Sequence, residues 1–280
     1  MSITVCAPAK LNLSLDVVGV RTDGYHELRS VMQAIDWCDT VTVDFAPDGD
    51  IHLTCDGGIP ADERNIAYRA AALFRECTGR DEGYVIDVRK SIPSEAGMGG
   101  GSSDGAAVLR ALNELTDAGI PQGDLLALAS KLGADVPFCL LCGTALATGT
   151  GTDLVPLPSL PDCTFVVVKP AGGVSTPEAY RRLDSAPALL HPDVDGMVDA
   201  LHRGDLSGVA RHVGNSFEAP MALPHTDTVT AVMRAHGARA AALTGSGSAV
   251  FGLFDDPAAA TACAAALTPA FPLTRVCKPL

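Results

Sequence analysis

From Pro93 to Asp104 the chain reads Pro-Ser-Glu-Ala-Gly-Met-Gly-Gly-Gly-Ser-Ser-Asp, with four glycines among the five residues Gly97 to Gly101. Glycine at that density lets the backbone take positive φ and approach a ligand closely. Successive N–H groups can then converge on an anion. A helix predicted from about Asp104 to Leu115 adds the unpaired N–H groups and the positive dipole end of its first turn. Ser102 and Ser103 supply hydroxyls for a helix cap or for phosphate. The whole run, Pro93, Ser94, Glu95, Ala96, Gly97, Met98, Gly99, Gly100, Gly101, Ser102 and Ser103, is therefore a candidate phosphate cradle. No Gly-Lys-Ser/Thr closes it, so it is not a Walker loop, and Ser102 stands where a dinucleotide fingerprint needs glycine. Gly101-Ser102-Ser103-Asp104-Gly105 formally fits a nucleophile elbow with Ser103 at its centre. The preceding strand ends near Lys90, too far back for that turn, so a serine hydrolase is the lesser alternative. A flexible surface turn is the plain one, and the apolar flanks speak against it.

Two charged residues fit a reaction at a phosphate. Asp135, in Gly133-Ala134-Asp135-Val136-Pro137-Phe138, is either a helix-capping aspartate or a general base for a hydroxyl proton. Lys10 is either a solvated strand lysine or a cation that lowers the pKa of the base and steadies phosphate charge. Thr244-Gly245-Ser246-Gly247-Ser248 is either a tight hairpin or a second turn closing over phosphate. Cys139 and Cys142 have CxxC spacing but no second pair, and structural zinc needs about four ligands. They are expected as core thiols. The seven histidines show no ligand spacing, so no metal-binding side chains are expected.

Several elements are predicted to position these groups. Ile3, Val5, Ala7, Ala9, Leu11, Leu13, Leu15 and Val17 alternate with polar residues, the pattern of one or two half-buried strands. Lys10, Asn12, Ser14 and Asp16 then share a face, and Pro8 predicts a bulge or break. Further strands are expected over Val31–Ile35, Thr40–Phe45, Ile51–Cys55, Tyr84–Arg89, Thr164–Val168, Ala240–Leu243, Ala249–Phe254 and Thr274–Cys277. Helices are expected over Asn65–Cys77, Leu125–Leu132, Pro224–Ala235 and Ala258–Leu267. Pro156, Pro158 and Pro161 mark a boundary, giving domains of residues 1–155 and 156–280. The element order predicts an α+β fold in both.

The net charge of −13 and the lack of a basic stripe argue against nucleic acid as a partner. No apolar run approaches the roughly 20 residues of a membrane span, and no signal peptide is evident. Nine scattered cysteines suggest a reduced, cytoplasmic protein.

Taken together, the glycine loop and the Thr244–Ser248 turn resemble those of the galactokinase, homoserine kinase, mevalonate kinase and phosphomevalonate kinase (GHMP) superfamily. Met98 replaces the usual leucine of the loop. Ala7-Pro8-Ala9-Lys10-Leu11-Asn12-Leu13, Asp23-Gly24-Tyr25-His26, Leu132-Gly133-Ala134-Asp135-Val136-Pro137 and Asn215-Ser216-Phe217-Glu218 are similar to the branch acting on a cytidine diphosphate-linked methylerythritol. The resemblance implies an ATP-dependent kinase using Mg²⁺, with Lys10 and Asp135 as the catalytic pair and Asn65 near the nucleotide base. It implies that Asn12, Tyr25, His26, Thr176 and Tyr180 hold the small-molecule substrate, with His26 reading cytosine and Tyr25 and Tyr180 flanking it. It further implies a left-handed βαβ unit in the N-terminal domain, a ferredoxin-like C-terminal domain, and a monomer or weak homodimer. A homoserine or mevalonate type of kinase, or a non-catalytic nucleotide-binding module, remains as an alternative.

Overall fold

The structure is a computed structural model that describes residues 2–280. In chain order its first elements are β1 (Ile3–Val20), β2 (His26–Ala46), β3 (Ile51–Cys55), α1 (Ile66–Thr78), β4 (Gly83–Arg89), α2 (Gly100–Leu115), α3 (Gln122–Ser130) and α4 (Val136–Leu141). Then come β5 (Thr144–Gly149), β6 (Asp153–Pro156), β7 (Thr164–Val168), α5 (Thr176–Asp184), α6 (Val194–His202), α7 (Leu206–Arg211) and β8 (Gly214–Asn215). The chain ends with α8 (Glu218–Met221), α9 (Thr226–Ala235), β9 (Ala240–Leu243), β10 (Val250–Phe254), α10 (Pro257–Leu267) and β11 (Thr274–Cys277).

Two compact units interleave along the sequence. The first takes the described residues up to Ala9, Trp37–Ile92 and Gly99–Cys142; the second takes Lys10–Asp36, Pro93–Met98 and Gly143–Leu280. The cut expected after residue 155 is a partition of chain segments and a different one.

In the first unit, β3 and β4 pair in parallel, Leu53 opposite Ile86, with α1 as their crossover. That is a βαβ unit. The C-terminal half of β2 continues this sheet antiparallel to β4, Val43 opposite Ile86. Alternate strand residues Val41, Val43, Tyr84, Ile86 and Val88 are buried with Ala67, Ala70 and Phe74 of α1 and Leu109 and Leu112 of α2. The Asn65 side chain caps α1 by accepting from the Ala67 N–H at 2.9 Å, and Gly79 ends it in the left-handed region at φ 65°. Both are standard punctuation for a helix of this length.

In the second unit, β1 pairs in parallel with β8, Leu15 opposite Asn215. The N-terminal half of β2 pairs antiparallel with β5, and β5 with β6. A separate four-stranded antiparallel sheet has the order β11-β7-β10-β9. Counted from its own first strand, that order is 4-1-3-2. With α9 leading into β9 and α10 joining β10 to β11, it is the ferredoxin-like arrangement expected of the C-terminal half. Val229 and Met233 of α9 and Ala260, Cys263 and Leu267 of α10 bury against Val166, Val168, Val250 and Phe254.

Three expectations change. β1 runs unbroken through Pro8, whose carbonyl instead accepts the Ser103 hydroxyl at 2.8 Å. Residues 7–15 of β1 are buried on both faces rather than one, so Lys10, Asn12 and Ser14 are interior groups. The helix after the glycine loop starts at Gly100, inside the glycine run, rather than near Asp104.

Where α1 and α2 meet, a Cβ on Gly105 would lie 2.5 Å from Cγ2 of Ile66. Ile66 is β-branched and has little rotamer freedom to yield. Gly105→Val is expected to cost about 1–3 kcal/mol through overpacking, read as a lower urea midpoint at unchanged m. An unchanged midpoint would show that this crossing has slack.

Candidate active site

Lys10 lies on β1 with only 4% of its surface exposed. Its ammonium donates to Oδ1 of Asn12 at 2.7 Å. The Asn12 amide donates on to Ser30 Oγ at 2.8 Å, and Ser30 donates to the Ser14 carbonyl at 2.8 Å. The backbone N–H of Asn12 donates to the Thr244 hydroxyl at 3.0 Å. Lys10 and Asn12 of one sequence motif and Thr244 of another thus form one buried polar chain within the second unit.

The first half of the glycine loop, Pro93 to Met98, belongs to the same unit. Lys10 N–H donates to the Met98 carbonyl at 3.0 Å, Ala249 N–H to the Ala96 carbonyl at 3.1 Å, and Ser248 N–H to the Glu95 carbonyl at 3.3 Å. Ala96 and Met98 are buried, so the run is anchored and is no flexible turn. Gly97 has φ +73°, and a Cβ there would collide with the Thr244 carbonyl oxygen. Only glycine permits that backbone approach.

The second half, from Gly99 onward, belongs to the first unit. Gly99 stands at the N-cap of α2 with φ 69°, and no side chain caps the helix. The first turn carries no acidic residue either. Its leading N–H groups and dipole end are thus left for another acceptor. Ser103 is fully buried and donates to Pro8, so its hydroxyl is not displayed as an elbow nucleophile. The hydrolase alternative loses its support there. Asp135 occupies the N-cap position of α4 but makes no capping hydrogen bond. The capping alternative for this carboxylate therefore does not describe it. Asn65, besides capping α1, donates to the Pro60 carbonyl at 2.8 Å.

His26 begins β2 and Tyr180 lies in α5; their rings stack with centroids 4.4 Å apart. His26 Nε2 is hydrogen-bonded to Asp184 at 2.7 Å, and the rings of Tyr180 and Phe217 meet edge to face. Thr176 opens α5, whose N-cap is Ser175. Tyr25 is 67% exposed. Cys139 is buried and Cys142 half-buried, neither in a disulfide. Among the described residues no three His, Cys, Asp or Glu side chains group into a metal cage.

A further cluster escaped the sequence patterns because its members are far apart in the chain. In the first unit, the buried Lys90 ammonium bridges Asp39 and Asp104, with 2.6 Å to Asp104. Asp39 also accepts the N–H groups of Ser91, at 2.5 Å, and Ile92, at 2.7 Å, fixing the chain as it enters the loop. Oδ1 of Asp104 has no hydrogen-bond partner. Burial pushes the Asp104 carboxyl up to about 7; the Lys90 ammonium opposes this and Asp39 adds to it. Burial works against the Lys90 charge, but the Asp104 and Asp39 carboxylates outweigh it and raise the lysine's pKa.

Residues 65–143 match the family model described as GHMP kinases N terminal domain, and residues 197–272 the one described as GHMP kinases C terminal. The fold and these matches define a GHMP kinase. A 4-diphosphocytidyl-2-C-methyl-D-erythritol kinase of Geobacillus sp. (strain WCH70) is 43% identical over 90% of this chain and 88% of its own. The crystal structure of a 4-(cytidine 5'-diphospho)-2C-methyl-D-erythritol kinase superposes with a TM-score of 0.82 at 39% identity, covering 99% of this chain and 98% of that one. A homoserine kinase from Cytophaga hutchinsonii shares the fold, with a TM-score of 0.82 at 24% identity, over 100% of this chain and 94% of its own. The chain belongs to the 4-diphosphocytidyl-2-C-methyl-D-erythritol kinase family.

The Asp104 carboxyl carries a pH signature. Folded, it keeps its proton up to about pH 7; unfolded, it loses it near about pH 4. The native state then binds more protons across that window, so this group's contribution to stability is full below about pH 4 and falls as pH rises toward 7. Asp104→Asn is expected to remove that fall. Urea unfolding of both proteins at about pH 5 and about pH 8 measures it, and equal pH dependence in the two would overturn the assignment.

Proposed function

We propose that this protein transfers the γ-phosphoryl group of ATP to the 2-hydroxyl of 4-diphosphocytidyl-2-C-methyl-D-erythritol, in the non-mevalonate route to isoprenoid precursors. The observation that carries this is the 43% identity to a kinase of that name over 90% of the chain. The buried Lys10 and the uncapped start of α2 support it. Phosphoryl transfer asks for positioning and charge stabilisation more than for covalent chemistry.

Asp135 takes the proton of the 2-hydroxyl as its oxygen bonds to the γ-phosphorus. The bond from that phosphorus to the bridging oxygen breaks, and ADP leaves. Lys10, held by Asn12, steadies the charge that develops on the transferred group. Residues 93–103 cradle the phosphates with backbone N–H groups, and Asn65 lies near the nucleotide base. Asn12, His26, Tyr25, Thr176 and Tyr180 hold the acceptor, with the two tyrosines flanking the cytosine that His26 reads. Segment 1–155 is then the ATP-binding and catalytic part, and 156–280 the substrate side. Mg²⁺ would be carried largely by the ATP phosphate oxygens, since this small, strongly hydrated ion is usually held by one or two carboxylates plus substrate oxygens, and it would neutralise phosphate charge. Nine cysteines, none in a disulfide, suit the reducing cytoplasm as its place of work.

ADP release is to be measured with ATP and Mg²⁺, with and without 4-diphosphocytidyl-2-C-methyl-D-erythritol. Acceptor-dependent ADP with an equal yield of phosphorylated acceptor is expected; well-folded protein that releases none overturns the substrate. Asp135→Asn and Lys10→Ala are each expected to lower kcat by about a hundredfold or more while the fold persists. Near-normal turnover in either folded variant would remove that residue from the mechanism.

A further inference from the structure

The tetrapeptide Asn215-Ser216-Phe217-Glu218 has no part in the chemistry just described, yet each of its side chains is committed. Asn215 is fully buried. Its Nδ2 donates to the carbonyls of Leu243 and Gly245, both at 2.8 Å, and its Oδ1 accepts the N–H of Phe217 at 2.9 Å. Glu218 reaches the same strand end, with Oε1 accepting the Leu243 N–H at 3.0 Å. Leu243 and Gly245 bracket Thr244, whose hydroxyl receives the Asn12 N–H and whose carbonyl faces Gly97. Phe217 and Tyr180 meet in a T-shaped arrangement, 5.1 Å between centroids, and Tyr180 stacks on His26. Ser216 ties the tetrapeptide to β1: its N–H donates to the Leu15 carbonyl at 2.9 Å, and its hydroxyl accepts the Val17 N–H at 3.1 Å.

A hairpin needs no such clamp to exist. The β9–β10 ladder pairs Leu243 with Val250 without help from outside, and Thr244 N–H closes on the Ala249 carbonyl at 3.0 Å. What the clamp adds is the placement of the Thr244 carbonyl and hydroxyl, where a small shift would close or open the contact at Gly97. Asn215 can do this because one planar amide supplies two donors and one acceptor at fixed angles. Aspartate has the same shape but no donor.

We propose that Asn215 and Glu218 are positioning residues for phosphoryl transfer, fixing the Thr244–Ser248 turn beside the Pro93–Met98 run, while Phe217 between them fixes Tyr180 on the acceptor side. One tetrapeptide thus sets both the phosphate-side turn and the acceptor-side ring. This rests on the kinase function proposed above.

The test uses four variants of the full chain: Asn215→Asp, Glu218→Gln, Glu218→Leu and Phe217→Leu. Asn215→Asp and Glu218→Leu are expected to lower kcat by about ten- to a hundredfold, more than they raise the KM of the acceptor. Glu218→Gln keeps an oxygen for the Leu243 N–H and is expected to recover most of the kcat that Glu218→Leu loses. Phe217→Leu is expected to raise the acceptor KM by about threefold or more, beyond its effect on kcat. A purely structural role predicts no such split: kcat would track the folded fraction, read from Tm, with both KM values unmoved. That result overturns the proposal, as does wild-type kcat in Asn215→Asp. If Asn215→Asp fails to fold, the two Glu218 variants carry the test. If the wild type turns over no acceptor, the kinase function falls instead. Hydrogen exchange across residues 243–249 then decides the positioning: faster exchange in a Glu218→Leu protein of wild-type Tm supports it, and unchanged exchange overturns it.

Discussion

An ammonium group inside a strand is the constraint on which much of the second unit depends. Burying Lys10 without partners would cost several kcal/mol, because the charge leaves water for a medium that cannot solvate it. Asn12 Oδ1 meets it, and that fixes the Asn12 side chain with its amide turned toward Ser30. Ser30 in turn donates its hydroxyl hydrogen bond to the Ser14 carbonyl. Each member leaves the next one fewer way to point. A network of this kind specifies geometry more than it stabilises the fold. The polar face of β1 is therefore an ordered series of donors and acceptors beneath the glycine turns.

Close backbone packing follows from the same arrangement. The Pro93–Met98 run lies between β1 and the Thr244–Ser248 turn, hydrogen-bonded to both. Side chains are excluded where Gly97 and Thr244 face each other, so the contact is backbone on backbone. Two glycine-rich segments, commonly regarded as flexible, hold each other rigid. The anchors are apolar: Ala96 and Met98 are almost wholly buried. The methionine in place of a leucine keeps that anchor, since an unbranched thioether adapts to the same cavity.

Much of this was legible in the sequence, and the reasons differ by element. β3, β7, β9 and β11 appear at the residues their apolar runs predict, because a short run bounded by turn residues has few other solutions. β1 was legible as period-2 alternation, but its burial was not. Lys10 and Asn12 look solvent-facing by type, and only tertiary contacts reveal them as interior. The separate strands expected over 31–35 and 40–45 are one, β2, because nothing between them breaks a ladder. α4 to α8 went unseen. They are short and lie among prolines and glycines, so too few turns exist for a 3.6-residue period to show. The glycine loop stood out through its composition, whereas Asp39, Lys90 and Asp104, distant in the chain, carry no local pattern at all. Asn215 and Glu218 sit in a motif visible by resemblance, but their partner, the backbone of residues 243–245, is visible only in three dimensions.

An acidic chain that binds a polyanion has to solve an electrostatic problem locally. Its net charge of −13 repels ATP at long range, though salt screens that field beyond about 8–10 Å. Attraction must come from dipoles and charges at the site itself. α2 illustrates the compromise. An acidic residue in its first turn would stabilise the helix against its own dipole, and none is there. The nearest, Asp104, is drawn back to Lys90 and held in a site that favours its neutral form. With Asp104 protonated, Lys90 and Asp39 cancel, and the helix start keeps its positive end. With Asp104 ionised, the cluster gains a net negative charge just behind the glycine run. The helix gives up a stabilising carboxylate at its start, and its leading N–H groups keep no acidic side chain beside them.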